Sequence, residues 1–285
     1  MSVPLVSVLL PVYNGEPYLA AALESVLRQD YERLEVIAID DGSTDRSLHI
    51  LRRYQEADGR LRVVSRENRG LVATLNEGMT MAKGELIARM DADDIAYPTR
   101  FSRQIALFQE QPRLGISGTG VDRLIGDRVV RGTPNPIHRS ADWHVLSMFY
   151  TVFMHSTVMY NRNVIPADML TYDATYVHAE DFDLFRRITR EFPAAMIDES
   201  LVAYRVHDES VTNKHRRPMR RTQRTRLSRC ASARTTSQVP SGELSSTNTT
   251  SQATLASVAS SRRYSTVTLS RSLNVGTMTD SSGAS

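Results

Sequence analysis

The first 110 residues alternate between short apolar runs and segments with apolar residues at helical spacing. The apolar runs predict four buried strands, at residues 3–10, 34–39, 61–65 and 85–90. An amphipathic helix is predicted after each run, and Pro17 and Pro98 suit the first turns of the first and last helices. This alternation indicates right-handed βαβ units and a mostly parallel sheet, with Pro11 ending the first strand. We therefore predict an α/β fold whose first 110 residues form a Rossmann-like, nucleotide-binding half.

The second half of the chain is less regular. Its pattern predicts strands at 116–124, 128–131, 153–160 and 201–206, and a helix at 181–190. We expect these elements to form a smaller lobe that completes the site, so that residues 111–215 complete a domain that spans 1–215. Trp143 is interpreted as packing, with an aromatic platform for a bound ligand as the alternative.

Composition changes sharply near residue 216. Residues 216–285 carry 11 Arg and 2 acidic residues, a net charge of +9, which leaves −6 for residues 1–215. This Arg-, Ser- and Thr-rich tail has too few apolar residues for a core, so we expect disorder. It could touch anionic lipid headgroups or RNA, but a solvated tail is the simpler interpretation, and no nucleic-acid partner is expected. The alkaline pI of 9.1 therefore says nothing about the rest of the chain.

Three further observations concern location. Cys230 is the only cysteine, which excludes an internal disulfide and suits a reducing cytosol. The sequence has no run of about 18 apolar residues and no basic segment followed by an apolar one at its start, so neither a membrane span nor a signal peptide is expected. We expect a cytoplasmic protein, with peripheral contact to the inner face of the membrane as a further option.

Acidic residues follow two of the predicted strands. Asp41 comes after the second strand, and Asp91 and Asp93 come after the fourth. Residues two apart in an extended chain point to the same side, about 7 Å apart, so Asp91 and Asp93 can face one site. Paired carboxylates are usual ligands for Mg²⁺ or Mn²⁺ bound to a diphosphate, although a polar turn after an edge strand is the alternative. The chain lacks the glycine motifs of a dinucleotide fold and of a P-loop.

Five motifs in order and spacing resemble the inverting family 2 glycosyltransferases. They are SVLLPVYNG at 7–15, VIAIDDGSTD at 36–45, MDADD at 90–94, AEDFDL at 179–184 and YRVH at 204–207. The resemblance covers residues 3 to about 213 and implies a GT-A fold in which residues 111–215 form the smaller acceptor-side lobe. It also implies a UDP-linked nucleotide-sugar donor, a divalent metal (Mn²⁺ or Mg²⁺), and a glycan or lipid-linked acceptor. It does not indicate the oligomeric state.

The resemblance also implies a role for each matching residue. Pro11 and Tyr13 would line the base pocket, and Asp41 would accept a hydrogen bond from the base. Asp91 would face the ribose or the metal, and Asp93 would hold the metal against the diphosphate. His207 would approach the same metal or diphosphate from the other lobe. Asp181 would be the general base, and Glu180 beside it would belong to the donor site.

Each of these residues also has a structural interpretation. Asp40 and Asp41 could cap the following helix, Asp181 could favour a helix start, Tyr13 could lie in the core, and His207 could be a surface residue. His155 and His178 could border the acceptor site. Two other functions stay open: a nucleotidyltransferase, although residues 11–15 contain no Lys or Arg to hold a triphosphate, and an inactive nucleotide-binding relative with a basic tail.

Overall fold

The nucleotide-binding half is a four-stranded parallel sheet with helices in its crossovers. The computed structural model describes residues 3–132 and 143–207. The strands are β1 (Val6–Val12), β2 (Leu34–Asp41), β3 (Leu61–Arg66) and β4 (Leu86–Arg89), in the spatial order β3-β2-β1-β4. The helices between them are α1 (Glu16–Leu27), α2 (Ser47–Ala57) and α3 (Leu71–Met81). The predicted βαβ arrangement is confirmed.

The residues after β4 continue the same sheet. Their strands are β5 (Ile95–Ala96), β6 (Ile116–Ile125), β7 (Arg128–Val130), β8 (Met159–Asn161) and β9 (Ala194–Arg205), and their helices are α4 (Arg100–Glu110), α5 (Trp143–Ser147) and α6 (Glu180–Glu191). The order runs on from β4 as β8-β6-β9-β5, with β7 paired to β6. Strand β8 is antiparallel to both β4 and β6, whereas β6 and β9 are parallel. The described residues therefore form one nine-stranded mixed sheet, parallel from β3 to β4.

The two faces of β1 contact different parts of the core. Val8 and Leu10 pack with residues of α1 and α2, whereas Leu9 between them packs with α3 and with the second half. A strand covered on both faces must be apolar at successive positions, which is why its sequence is a continuous apolar run. Burial on both faces fixes the carboxyl ends of β1, β2 and β4 at the edge of the sheet where Tyr13, Asp41 and Asp91 lie.

Several predicted boundaries are wrong. Strand β1 continues through Pro11. The pairing of β1 with β4 ends at Leu9, two residues before Pro11, so the missing N–H of Pro11 removes no hydrogen bond between β1 and β4. The predicted strand at 153–160 is confined to Met159–Asn161, because His155–Thr157 form a 3₁₀ turn. Strand β9 begins seven residues earlier than predicted, and neither β5 nor α5 was expected.

Two expectations can be compared only in part. The predicted tail, residues 216–285, lies outside the described residues, and its character stays a prediction. Within the described residues, none of the helices has the length and apolar character needed to cross a membrane. Trp143 packs as expected: it is buried and stacks on Phe153 with ring centroids 5.2 Å apart.

Candidate active site

Three carboxylates converge immediately after β4. Asp91, Asp93 and Asp94 each place an oxygen within 4.8 Å of the others. Asp94 is fully buried, while the side chains of Asp91 and Asp93 stay 28% and 30% exposed. Burial, reinforced by the neighbouring acids, raises the pKa of Asp94 to about 8, and burial raises the pKa of Asp91 to about 6. Such a cluster of hard oxygen ligands fits a divalent cation such as Mn²⁺ or Mg²⁺. A bound cation would offset the repulsion between the neighbouring carboxylates.

The end of β9 contacts this acidic turn. His207 Nε2 lies 2.8 Å from Asp93 Oδ2. The backbone N–H of Arg205 donates to Asp94 Oδ1 (2.8 Å), and its side-chain Nε donates to the backbone carbonyl of Asp93 (2.7 Å). The Arg205 guanidinium also lies 4.5 Å from the ring centroid of Tyr18 on α1, and the His207 ring lies 5.0 Å from it. His207 is therefore placed beside Asp93, which the interpretation as an isolated surface residue does not explain.

The residues predicted for the base pocket lie at the carboxyl ends of β1 and β2. Tyr13, directly after β1, is 55% exposed, so the interpretation as a core residue is wrong. Asp41 is buried; it pairs with Arg66 and accepts the backbone N–H groups of Arg69 and Gly70, both at 2.9 Å. It thus holds the loop that leads into α3.

The alternative role for the acids of β2, capping the next helix, is also wrong. Asp40 accepts hydrogen bonds from the Ser43 N–H (3.3 Å) and the Ser65 hydroxyl (2.8 Å). At the start of α2 it is Asp45 that accepts a hydrogen bond, from the N–H of Ser47 at 2.9 Å. Asp40 therefore orders the turn after β2.

The predicted general base lies in the first turn of α6. Glu180, the first residue of this helix, is buried, and Asp181 Oδ1 accepts the N–H of Phe182 at 2.7 Å. Burial raises the pKa of Asp181. The charge of Asp181 in turn raises the pKa of Asp91. Asp181 and the acids after β4 therefore belong to one electrostatic environment.

Sequence reasoning missed Arg89, the last residue of β4. Its side chain is only 4% exposed and forms an ion pair with Asp91. Its charge lowers the pKa values of Asp91 and Asp181, against the effect of burial. An arginine inside a predicted buried strand, two residues before an aspartate, was the available signal.

Arg100, at the start of α4, was missed as well. It is fully buried and donates to the Arg89 backbone carbonyl (2.8 Å) and to Gln104 Oε1 (3.2 Å). Burial, together with the nearby charge of Arg89, lowers the pKa of Arg100 to about 9. These bonds connect α4 to the end of β4, where the acidic turn begins.

His155 is half-buried and lies close enough to Arg89 to feel its charge. Its Nε2 is 2.8 Å from the Tyr172 hydroxyl, which is 3.1 Å from the Tyr160 hydroxyl. Burial, and then the charge of Arg89, lowers the pKa of His155 well below its ordinary value, so the ring is neutral at pH 7. His178, the other histidine considered for the acceptor site, is exposed and has a positive φ of 58°.

Residues 7–167 match the family model described as glycosyl transferase family 2. This chain belongs to that family. The match makes it a glycosyltransferase and decides against the nucleotidyltransferase alternative. The matched region includes the acids after β4 and ends before Glu180, Asp181 and His207. The match assigns no role to single residues, so the roles of all the predicted site residues stay predictions.

Individual relatives agree with the family assignment. The O-antigen biosynthesis glycosyltransferase WbnJ of Escherichia coli is 31% identical over 72% of this chain and 81% of its own length.

Solved structures support the GT-A fold. TarS 1-349 of S. aureus, in complex with UDP-GlcNAc, aligns with a TM-score of 0.62 at 20% identity, over 75% of this chain and 62% of its own. The mannosyltransferase PcManGT of Pyrobaculum calidifontis, in complex with GDP-Man and Mn²⁺, aligns with a TM-score of 0.55 at 22% identity, over 84% of this chain and 67% of its own. The chain spans less than two thirds of the TarS chain. The likeness to both structures shows the GT-A fold.

Proposed function

We propose that this glycosyltransferase moves a sugar from a UDP-sugar to a hydroxyl of a glycan or lipid-linked acceptor, with inversion at the anomeric carbon. The observation that carries the proposal is the convergence of Asp91, Asp93 and Asp94, with His207 2.8 Å from Asp93 and the half-buried Asp181 in the same electrostatic environment. In this proposal Asp93 and His207 would hold a divalent cation, Mn²⁺ or Mg²⁺. The proposed donor site comprises Pro11, Tyr13, Asp41, Asp91 and Glu180.

The residues divide the chemistry between them. A bound cation would accept the negative charge that develops on the leaving diphosphate. Asp181 takes the proton of the acceptor hydroxyl as its oxygen bonds to the anomeric carbon and the bond to the diphosphate breaks. Attack from the face opposite the leaving group inverts the configuration, as in hydrolases that invert. The raised pKa of Asp181 makes it a better proton acceptor than an ordinary aspartate.

In the proposed donor site, Tyr13 and Asp41 would contact the planar base of the nucleotide. Tyr13 offers an exposed ring at the end of β1. Asp41 is held rigidly by Arg66 and two backbone N–H groups, and a carboxylate has about four acceptor positions, so it can still accept an N–H from a base.

The comparisons support only the chemical class of the donor and the chemical class of the acceptor. UDP-GlcNAc is bound in TarS and GDP-Man with Mn²⁺ in PcManGT, so either base is compatible with this fold. The O-antigen role in the name of WbnJ supports a glycan acceptor. The cytoplasmic location and the choice between Mn²⁺ and Mg²⁺ stay predictions.

Calorimetric titration of UDP into the full chain, with and without Mn²⁺, tests the proposed donor site. We expect saturable, Mn²⁺-dependent binding that Asp93→Ala abolishes and that Asp127→Ala, at an exposed aspartate in the β6–β7 turn, leaves intact. Binding of GDP or CMP but not UDP would refute the uridine donor. Metal-independent UDP binding that survives Asp93→Ala would refute the metal site.

A screen of UDP-sugars for UDP release, followed by NMR of the anomeric configuration of the product, tests catalysis. Retention of configuration would contradict the inverting mechanism. Tight donor binding with no turnover on any glycan or lipid-linked acceptor would favour the inactive relative.

A further inference from the structure

The segment of residues 143–150 is anchored to α6 by its inward-facing side chains. The buried Trp143 ring stacks on Phe153, which packs edge-on against Phe185 of α6 with centroids 5.6 Å apart. The Ser147 hydroxyl oxygen lies 2.9 Å from that of Thr189, also on α6. These contacts fix which side of the segment faces outward.

The outward side is unusually apolar. Phe149 is 77% exposed and Met148 52%, and Val145 and Tyr150 beside them are exposed as well. Scattered apolar residues are normal on a protein surface, but contiguous large ones mark contact sites. An exposed phenylalanine on an anchored segment therefore indicates a surface that meets an apolar phase.

Arginines of α6 border this apolar surface. A cavity of about 220 Å³ is lined by Met148, His144, Arg186, Arg187 and Arg190. Arg187 is committed to the fold, because it pairs with Asp183 at 2.8 Å and donates to two backbone carbonyls. The side chains of Arg186 and Arg190 are 43% and 71% exposed, at the mouth of the cavity.

The charges of this border favour an anionic partner. The three arginines share two carboxylates, with Asp183 bound to Arg186 (3.2 Å) and Arg187, and Glu191 bound to Arg190 (3.2 Å). A guanidinium has five N–H donors, so Arg186 and Arg190 can each bind a further anion without breaking these pairs. Phosphate suits this geometry, because arginine binds phosphate oxygens through paired N–H groups.

We propose that a basic-apolar patch on this face binds an anionic membrane surface. The patch consists of Val145, Met148, Phe149, Tyr150, Arg186 and Arg190. Arg186 and Arg190 contact lipid phosphates, while Phe149 and Met148 enter the boundary between headgroups and acyl chains. This pairing of a basic rim with aromatic and aliphatic side chains is how interfacial protein surfaces bind anionic bilayers. The proposal does not depend on the donor or on the role of Asp181.

The patch lies on the helix that carries the predicted base. Asp181 and Arg190 are nine residues apart on α6, or about 13 Å along its axis. A membrane held at Arg190 would therefore bring lipid-linked molecules to the end of the sheet where Asp181 lies. This arrangement would explain why one helix carries acids in its first turn and arginines in its second half.

Phosphatidylglycerol vesicles test the patch in the full chain, with phosphatidylcholine vesicles and free inorganic phosphate as separate arms. The tail also carries +9 and could bind vesicles by charge alone, so the readout must report insertion. Phe149→Trp should be quenched by brominated phosphatidylglycerol, whereas Val129→Trp, at an exposed apolar position on β7, should not be. The native Trp143 is the common background of both variants.

Partition measurements complete the test. Arg190→Gln should weaken vesicle binding about fivefold. Arg28→Gln, at an equally exposed arginine paired with Glu24, should leave it unchanged. Phe149→Asp should weaken binding further, and neutral vesicles and free phosphate should not compete.

Three results would overturn the proposal. The first is equal quenching of the two tryptophan variants, which would leave only the tail as a membrane contact. The second is unchanged partition of Arg190→Gln and Phe149→Asp while circular dichroism shows native folds. The third is a changed sedimentation coefficient of Phe149→Asp with unchanged vesicle binding, which would make the patch a contact between copies of this chain.

Discussion

His207 Nε2 lies 2.8 Å from Asp93 Oδ2, across 114 positions of sequence. The antiparallel pairing of β5 with β9 brings the two residues together. Ile95 lies opposite Ala203, so the residues just before β5 and those just after Ala203 lie at the same end of this strand pair. A histidine and a carboxylate at this separation can share a cation or hydrogen-bond to each other. Both arrangements make Asp93 depend on the end of β9.

His207→Ala should weaken metal-dependent UDP binding. Loss of the hydrogen-bonded partner of a metal ligand typically lowers metal affinity 10- to 100-fold. We therefore expect the Mn²⁺ concentration needed for half-maximal UDP binding to rise by about that factor. Titration of Mn²⁺ at fixed UDP measures it, with His49→Ala on the exposed face of α2 as the matched control. Identical Mn²⁺ curves for His207→Ala and the native chain would remove His207 from the site.

Asp181→Asn should abolish transfer while UDP binding stays native. Loss of a general base lowers kcat by about 10²- to 10⁴-fold, whereas Asp168→Asn, at an exposed position, should have no effect. Steady-state kinetics and calorimetry separate the two effects. Normal turnover by Asp181→Asn would show that another group accepts the proton.

The pH profile follows from the same residue. Burial raises the pKa of Asp181, so its carboxylate becomes protonated, and inactive as a base, at a higher pH than an ordinary aspartate with a pKa of 3.8. Activity should therefore fall as the pH drops through this raised pKa. An acid limb at or below the ordinary aspartate value would contradict the assignment.

The Arg89–Asp91 ion pair should show strong coupling in a double-mutant cycle. Arg89→Met leaves the carboxylate of Asp91 without its buried partner, which should cost about 3–5 kcal/mol of unfolding free energy. Arg89→Met/Asp91→Asn removes both charges and should recover at least about 1 kcal/mol of that loss. Urea unfolding in metal-free buffer measures the cycle, and strict additivity would mean that the two side chains are independent.

Gly84→Ala should destabilise the sheet where β4 begins beside β1. A Cβ at this position would lie 2.5 Å from the Leu5 carbonyl oxygen and 2.7 Å from the Ser7 backbone nitrogen. Backbone atoms cannot move aside as a flexible side chain can, so we expect a loss of about 2–3 kcal/mol in urea unfolding. Gly59→Ala is the control, since its Cβ would meet none of the described atoms within 4 Å, and it should change stability by less than about 0.5 kcal/mol.

The nucleotide-binding half could be predicted because its signals are local. Strands β1 and β2 are continuous apolar runs, and α3 was predicted to within one residue of its end. The strand predicted at 153–160 was too long because its first residue, Phe153, is buried outside any strand. Phe153 fills the space over Gly118, where an added Cβ would lie 2.4 Å from its ring.

The parts that escaped prediction depend on contacts between distant residues. Arg89 and Arg100 are buried charges whose partners, Asp91 and a backbone carbonyl, make burial tolerable only in the folded chain. Strand β5 has two residues and exists because β9 pairs with it. Sequence periodicity cannot report such pairing, whereas the motif resemblance correctly brought Asp93 and His207 into one region.

The pairing of β5 with β9 has a consequence for synthesis of the protein. The four parallel strands β1 to β4 all lie before residue 90, so they can pair before β9 has been synthesised. The acidic turn is different: Asp94 receives the backbone N–H of Arg205, and Asp93 meets His207, only after the last strand has emerged. A nascent chain that stops before residue 205 therefore lacks the partners of Asp93 and Asp94, although Asp91 already has Arg89 beside it. The acidic turn is completed late in synthesis.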